Sequence, residues 1–149
     1  MTMAVPCMGG CACGAVRYEC SAAAVFMFLC HCRDCQRATG NPFAANAWFA
    51  ASALIFLSGE PQYHVVRSDL GNAVYHGFCL ACGSPLGMKS NAFPDFIGVR
   101  AASLDDPSRL EPLAEVWTCR YPWEPVNPNL PHFERGLTEE DLQALLARS

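Results

Sequence analysis

The sequence is short of charge. Only 16% of its residues are Asp, Glu, Lys or Arg, and ten basic residues face fourteen acidic ones, for a formal net charge of −4. A nucleic-acid-binding surface needs a dense array of Lys and Arg, so that class of partner is not expected. Long apolar runs are missing too. No stretch reaches the roughly 18 apolar residues needed to cross a bilayer, and the longest candidate, residues 21–29, runs into the charged, cysteine-rich stretch after Cys30. A membrane partner is therefore not expected either. No basic segment precedes an apolar one at the N-terminus, so nothing indicates secretion and the expected location is cytoplasmic. Low-complexity tracts and internal repeats are also absent.

Apolar residues, by contrast, make up 52% of the 149 positions, which suits one globular domain spanning 1–149. Short apolar runs separated by Gly, Pro and Ser predict strands at residues 15–20, 44–49, 54–57, 63–67, 73–78 and 96–100, a mainly antiparallel β pattern. Residues 104–131 hold six of the eleven prolines and read as an irregular arm with at most a short strand near 116–119. The chain ends in a short helix at about 139–148. There Thr138 can cap, Asp141 can complete a capping box, and Leu142, Leu145 and Leu146 form an apolar stripe that packs against the sheet.

Ten cysteines are the conspicuous excess. In a reducing compartment, clustered cysteines bind metal or do redox chemistry more often than they form disulfide frameworks. Seven are grouped: Cys11 with Cys13, Cys30 with Cys32 and Cys35, and Cys79 with Cys82. A thiolate pair one or two residues apart can aim both sulfurs at one ion, and tetrahedral zinc takes four such ligands. Disulfides within pairs of this spacing would be strained. Gly14 and Gly83 follow two of the pairs and supply the permissive backbone that a knuckle-like turn requires. Four sulfurs close a structural zinc site, whereas three leave a position open, as catalytic zinc sites do. The middle cluster is the natural three-ligand site. His31 could complete it, but it is expected to turn away from its two neighbours. Cys7, Cys20 and Cys119 have no near partner and read as buried or partly buried thiols outside the sites.

Three stretches, GGCACGAVRYEC at 9–20, CHCRDCQRATGNPF at 30–43 and FCLACGSPLG at 78–87, resemble the signature blocks of the glutathione-dependent formaldehyde-activating enzyme family, which includes centromere protein V-like proteins. The resemblance runs over about 9–133, because Arg120, Pro122, Trp123 and the Leu130-Pro131 step look like the family's C-terminal block. It implies a β-tent fold of antiparallel sheets. It also implies a partition of ligands: Cys11, Cys13, Cys79 and Cys82 on a structural zinc, and Cys30, Cys32 and Cys35 on a catalytic one. Where many members carry a His-led strand before the final Trp block, this chain has Ala114-Glu115-Val116-Trp117.

The family's reaction adds glutathione to formaldehyde, giving S-hydroxymethylglutathione in a carbon–sulfur lyase step. The resemblance therefore implies up to two zinc ions, glutathione as co-substrate, and a small thiol and aldehyde as partners. Glutathione carries two carboxylates and an ammonium group. Arg33, Arg37, Arg120 or Lys89 can hold the former and Asp34 the latter, with Trp117 and Trp123 as candidate pocket walls. Two competing readings are a zinc-stapled interaction module without chemistry and methionine sulfoxide reduction through Cys119. The sequence leaves the oligomeric state open.

Overall fold

The computed structural model describes residues 4–120 and 127–149. Alternation shapes the outer strands. In β2 (Arg17–Cys20), Tyr18 and Cys20 are buried while Arg17 and Glu19 are half-exposed, as expected of a strand with one face on a core. The central strands β3 (Phe26–Cys30) and β4 (Ala44–Ala50) are apolar almost throughout, because both of their faces are covered.

The remaining strands are β1 (Cys7–Gly10), β5 (Leu54–Ser58), β6 (Gln62–Arg67), β7 (Ala73–Phe78), β8 (Pro85–Ser90), β9 (Phe96–Arg100) and β10 (Ala114–Val116). Two helices accompany them, α1 (Arg33–Thr39) and α2 (Glu139–Leu146). A small sheet has the order β1-β2-β5, and a large one the order β10-β3-β4-β9-β8-β7-β6. All pairings are antiparallel except that of β10, which runs parallel to β3 with Val116 opposite Cys30. The fold is mainly β, as expected.

Adjacent residues of β4 point to opposite sides of the large sheet. Trp48 joins Phe26, Phe28, Met88, Leu142 and Leu145 in one core cluster, while Ala47 and Phe49 join Tyr18, Leu54 and Val99 in another. The layers are thus the small sheet, the large sheet and α2. The capping box of α2 forms as read from the sequence: Thr138 Oγ1 accepts from the Asp141 N–H at 3.1 Å, and Asp141 accepts from the Thr138 N–H at 2.9 Å.

The six expected strands are present, but β1, β3, β8 and α1 were not anticipated. The short strand expected near 116–119 lies earlier, at β10, because Trp117 adopts a left-handed φ of 59° and the chain enters a 3-10 turn at Thr118–Arg120. Among the described residues no helix is long and apolar enough to cross a membrane.

Candidate metal centre and adjoining cavity

The turn between β1 and β2 and the turn between β7 and β8 are two knuckles of the same design. In the first, Gly14 N–H donates to the Cys11 carbonyl at 3.2 Å, and in the second Gly83 N–H donates to the Cys79 carbonyl at 2.8 Å. Gly14 (φ 79°) and Gly83 (φ 77°) both stand in the left-handed region that closing such a turn requires. The Ala12 N–H donates to Ser84 Oγ at 3.0 Å, tying one knuckle to the other across 72 residues.

This brings the sulfurs of Cys11, Cys13, Cys79 and Cys82 within 4.8 Å of one another. The Cys11–Cys13 and Cys13–Cys79 separations are 3.5 and 3.8 Å. Sulfurs held about 2.3 Å from a tetrahedral ion lie about 3.8 Å apart, so the four fit zinc in both number and spacing. Backbone and side-chain donors favour thiolate at Cys82 and Cys11. The Ser84 hydroxyl and N–H pull the Cys82 thiol down to about 5, and the Val16 N–H donates to Cys11 Sγ at 3.2 Å.

The second cluster forms where β3 hands over to α1. Cys30 closes β3, Cys32 is the N-cap of α1, and Cys35 lies in its first turn, with all three sulfurs within 4.8 Å. Cys32 caps with sulfur: its Sγ accepts from the Cys35 N–H at 3.3 Å. Cys30 and Cys35 are buried and Cys32 is half-buried. The thiols of Cys30 and Cys32 beside Cys35 hold its pKa well below the usual thiol value, and the Arg100 guanidinium adds to this. Cys30 moves the other way, pushed up by its two sulfur neighbours and by burial. The trio therefore favours one thiolate at Cys35 before any cation arrives, and three soft donors on one side suit zinc with a position left open.

His31 turns away from this cluster, as its place between the two cysteines suggested. Its Nε2 is 3.1 Å from Glu115 Oε1, and both residues are buried. Glu115, in the Ala114-Glu115-Val116-Trp117 stretch that replaces the His-led strand of many family members, also accepts the Asn127 N–H at 2.8 Å.

A cavity of about 330 Å³ opens beside the three-cysteine cluster, and Cys30, Cys32 and Cys35 form part of its wall. Arg33, Asp34, Arg37, Arg120 and Trp117, all candidates from the sequence, line it too. Their availability differs. Arg120 is paired with Asp69 at 2.7 Å and Arg33 donates to Gln36, whereas Arg37 makes no hydrogen bond or ion pair among the described residues. Lys89 does not reach the cavity. Strand alternation sends its neighbours Met88 and Ser90 there, while Lys89 Nζ lies 4.7 Å from the centre of the Tyr63 ring. Pro122 and Trp123 fall outside the described residues. Trp117 enters the wall in its strained backbone conformation, the kind of outlier that accumulates at functional sites.

Of the three cysteines left outside the clusters, Cys20 is buried and Cys7 is half-buried opposite it in the β1–β2 register. Cys119 is exposed, contrary to the buried setting expected of it, because the 3-10 turn after Trp117 carries it outward.

Reading for cysteine spacing passed over polar residues in and behind the cavity wall, among them Asn46 and His76, which line it, and Gln36 and Arg100, which bond to residues of the wall. Gln36 Nε2 donates to the carbonyls of His31 and Arg120 at 2.7 and 3.0 Å, holding α1 to the chain after β10. Asn46, His76 and Arg100 come from β4, β7 and β9. They are joined by hydrogen bonds of 2.5 Å from Arg100 Nη1 to Asn46 Oδ1 and 2.9 Å between Arg100 Nη2 and His76 Nδ1. The signal that could have found them is the presence of polar residues within strands otherwise apolar.

Fold and site together define a mainly-β protein with two cysteine clusters, one of four sulfurs and one of three in the wall of a cavity. The family model described as "Glutathione-dependent formaldehyde-activating enzyme" matches residues 6–120, and the chain belongs to that family. A Rhodobacter sphaeroides protein of known crystal structure is similar in fold, with a TM-score of 0.52 and 23% identity over 85% of this chain and 98% of that one. No curated protein matches the chain.

Proposed function

We propose that this protein is a carbon–sulfur lyase of the S-(hydroxymethyl)glutathione synthase type, adding the thiolate of glutathione to formaldehyde. The observation that carries this reading is the three-cysteine cluster set in the wall of a cavity whose lining also holds Arg33, Arg37 and Asp34. On this reading Cys11, Cys13, Cys79 and Cys82 hold a structural zinc that staples the two knuckles, and Cys30, Cys32 and Cys35 hold a second. Zinc bound to three thiolates offers one more position, lowers the pKa of a thiol placed there from about 8.5, and is too electron-rich to activate water well.

The chain's own groups then bind and orient. Arg37, with no hydrogen bond or ion pair among the described residues, is the guanidinium best placed to take a glutathione carboxylate, and Asp34 suits its ammonium group. Arg33 and Arg120 can join by exchanging their present partners. The glutathione sulfur gives an electron pair to the aldehyde carbon, the carbonyl π pair moves to oxygen, and a proton from water completes the hydroxymethyl product.

Zinc per chain, measured with formaldehyde–glutathione exchange followed by NMR, tests the reading. Two zinc ions and exchange faster than in buffer are expected. Exchange at the buffer rate in fully loaded protein would overturn the enzyme reading and leave a zinc-stapled module.

A further inference from the structure

Formaldehyde has no apolar group to bury, and glutathione carries its charges at its ends. The cavity beside the three cysteines is nonetheless built in two unlike parts. Its mouth is charged: Arg33 and Arg37 of α1, Arg67 and Asp69 at the end of β6, and Arg120 line it and are all exposed. Its floor is apolar. Phe28, Trp48, Met88 and Val116 line it from four different strands and are buried, while Val74 and Phe93 line it half-buried.

Strand register brings the floor up to the cysteine cluster. Phe28 and Cys30 share one face of β3, about 7 Å apart along the strand. Phe26 of the same face lies opposite Trp48 in β4, and Trp48 and Met88 both stand opposite Gly98 in β9. A Cβ on Gly98 would come within 2.9 Å of Met88 Cγ and 3.3 Å of the Trp48 ring, so the absence of a side chain there lets those two close together over the sheet. Phe93 reaches the floor from the turn between β8 and β9, its ring edge-on to Trp48 with centres 5.6 Å apart.

The two parts suit two different substrates. The carboxylates and ammonium of glutathione match the charged mouth, which leaves its sulfur to point inward. Asn46 and His76, polar residues of the same wall, are bonded to Arg100. What the floor offers an incoming molecule is therefore aromatic and aliphatic surface, and covering such surface is favourable only for an apolar group. The one substituent left to supply that group is the one on the aldehyde carbon.

We propose that the site takes aldehydes bearing an apolar alkyl or phenylalkyl substituent, which lies on the floor formed by Phe28, Trp48, Val74, Met88 and Phe93, and that formaldehyde is the least favoured member of the series. The proposal rests on the reaction inferred above and names its substrate class. The new bond is carbon–sulfur and the bond broken is the carbonyl π bond. Its electron pair settles on oxygen, which takes a proton from water as the thiol proton leaves to water. The product is a hemithioacetal of glutathione, and nothing is oxidised or reduced.

The test compares formaldehyde, acetaldehyde, propanal, butanal and 3-phenylpropanal at subsaturating concentration with glutathione and fully zinc-loaded protein. Exchange is followed by NMR and divided by the buffer rate for the same aldehyde, which removes differences in intrinsic reactivity. The acceleration is expected to rise about fourfold per methylene and roughly 30-fold from formaldehyde to 3-phenylpropanal, the factors that burial of a methylene and of a phenyl group supply. Phe93→Ala, outside the strands, should lower the ratio of 3-phenylpropanal to formaldehyde acceleration about fivefold. Accelerations that are level or fall along the wild-type series would mean that the floor only excludes water, overturning the substrate class while leaving the lyase reading intact. A ratio unchanged in zinc-loaded Phe93→Ala would overturn the placement of the substituent on this floor. Should that variant fail to load zinc, the slope of the wild-type series decides by itself. A loaded wild type that accelerates no aldehyde, formaldehyde included, would remove both proposals together.

Discussion

Replacing Cys79 with serine tests the four-sulfur staple most directly. Cys79 is almost fully buried and its sulfur is 3.8 Å from that of Cys13, 66 residues away along the chain. A cross-link closing a loop of that length removes unfolded-state entropy equivalent to about 4 kcal/mol in the chain-entropy treatment. Cys79→Ser leaves three sulfurs, and because Cys13 and Cys82 are exposed, unlike the mostly buried trio of the second cluster, water enters the opened site and the ion is released. Unfolding entropy for a chain of this size is about 0.3 kcal/mol per kelvin, so losing the link should lower Tm by roughly 10 °C or more. Zinc per chain should fall by one, measured by elemental analysis alongside the melt. Cys119→Ser is the matched control: an exposed thiol in neither cluster, it should change stability by no more than about 0.5 kcal/mol and release no metal. A Cys79→Ser protein that keeps its zinc and its wild-type Tm would refute the staple.

Cys32→Ser should abolish the acceleration of exchange and remove one zinc while leaving the fold intact by circular dichroism. Collapse of the fold would mark the second cluster as structural too. Glu115→Ala should cost about 2–3 kcal/mol by urea unfolding, since it removes a buried carboxylate that holds both His31 and the Asn127 N–H. The Thr138 N–H and hydroxyl lower the pKa of Asp141. The capping contact therefore stabilises α2 above the unfolded carboxyl pKa and is lost as pH falls through the lower folded value. A carboxyl titration by NMR should place the Asp141 midpoint below the ordinary aspartate value, and Thr138→Ala should return it there. Arg37→Ala should raise KM for glutathione about tenfold with kcat little changed, since a carboxylate contact of this kind is uniform binding. An unchanged KM would remove Arg37 from the substrate grip.

The strands that alternate or stand between clear turn residues were readable, and so was α2 with its capping box, because those signals lie within a few residues of each other. The misses share a physical origin. β1 carries Gly9 and Gly10, which have little strand preference, and β8 begins at a proline. β3 is apolar throughout and shows no period, because both its faces are covered. α1 is capped by a sulfur rather than by one of the usual oxygen caps, so its start carried no familiar mark. Trp117 ended β10 early through a backbone conformation that side-chain chemistry does not announce.

By itself the sequence determined the donor inventory. Pairs such as Cys11–Cys13 and Cys79–Cys82 are close enough in the chain that any turn closing on Gly14 or Gly83 aims both sulfurs one way, and Cys30, Cys32 and Cys35 are similarly local. Which pair meets which was left to the tertiary structure, because it depends on two hairpin ends arriving side by side from different sheets. Strand pairing alone decided that Asn46 would stand opposite Arg100, and that His76 would reach the same guanidinium from two strands farther on. Sequence spacing encodes geometry only over a few residues, whereas register brings together groups that are tens of residues apart.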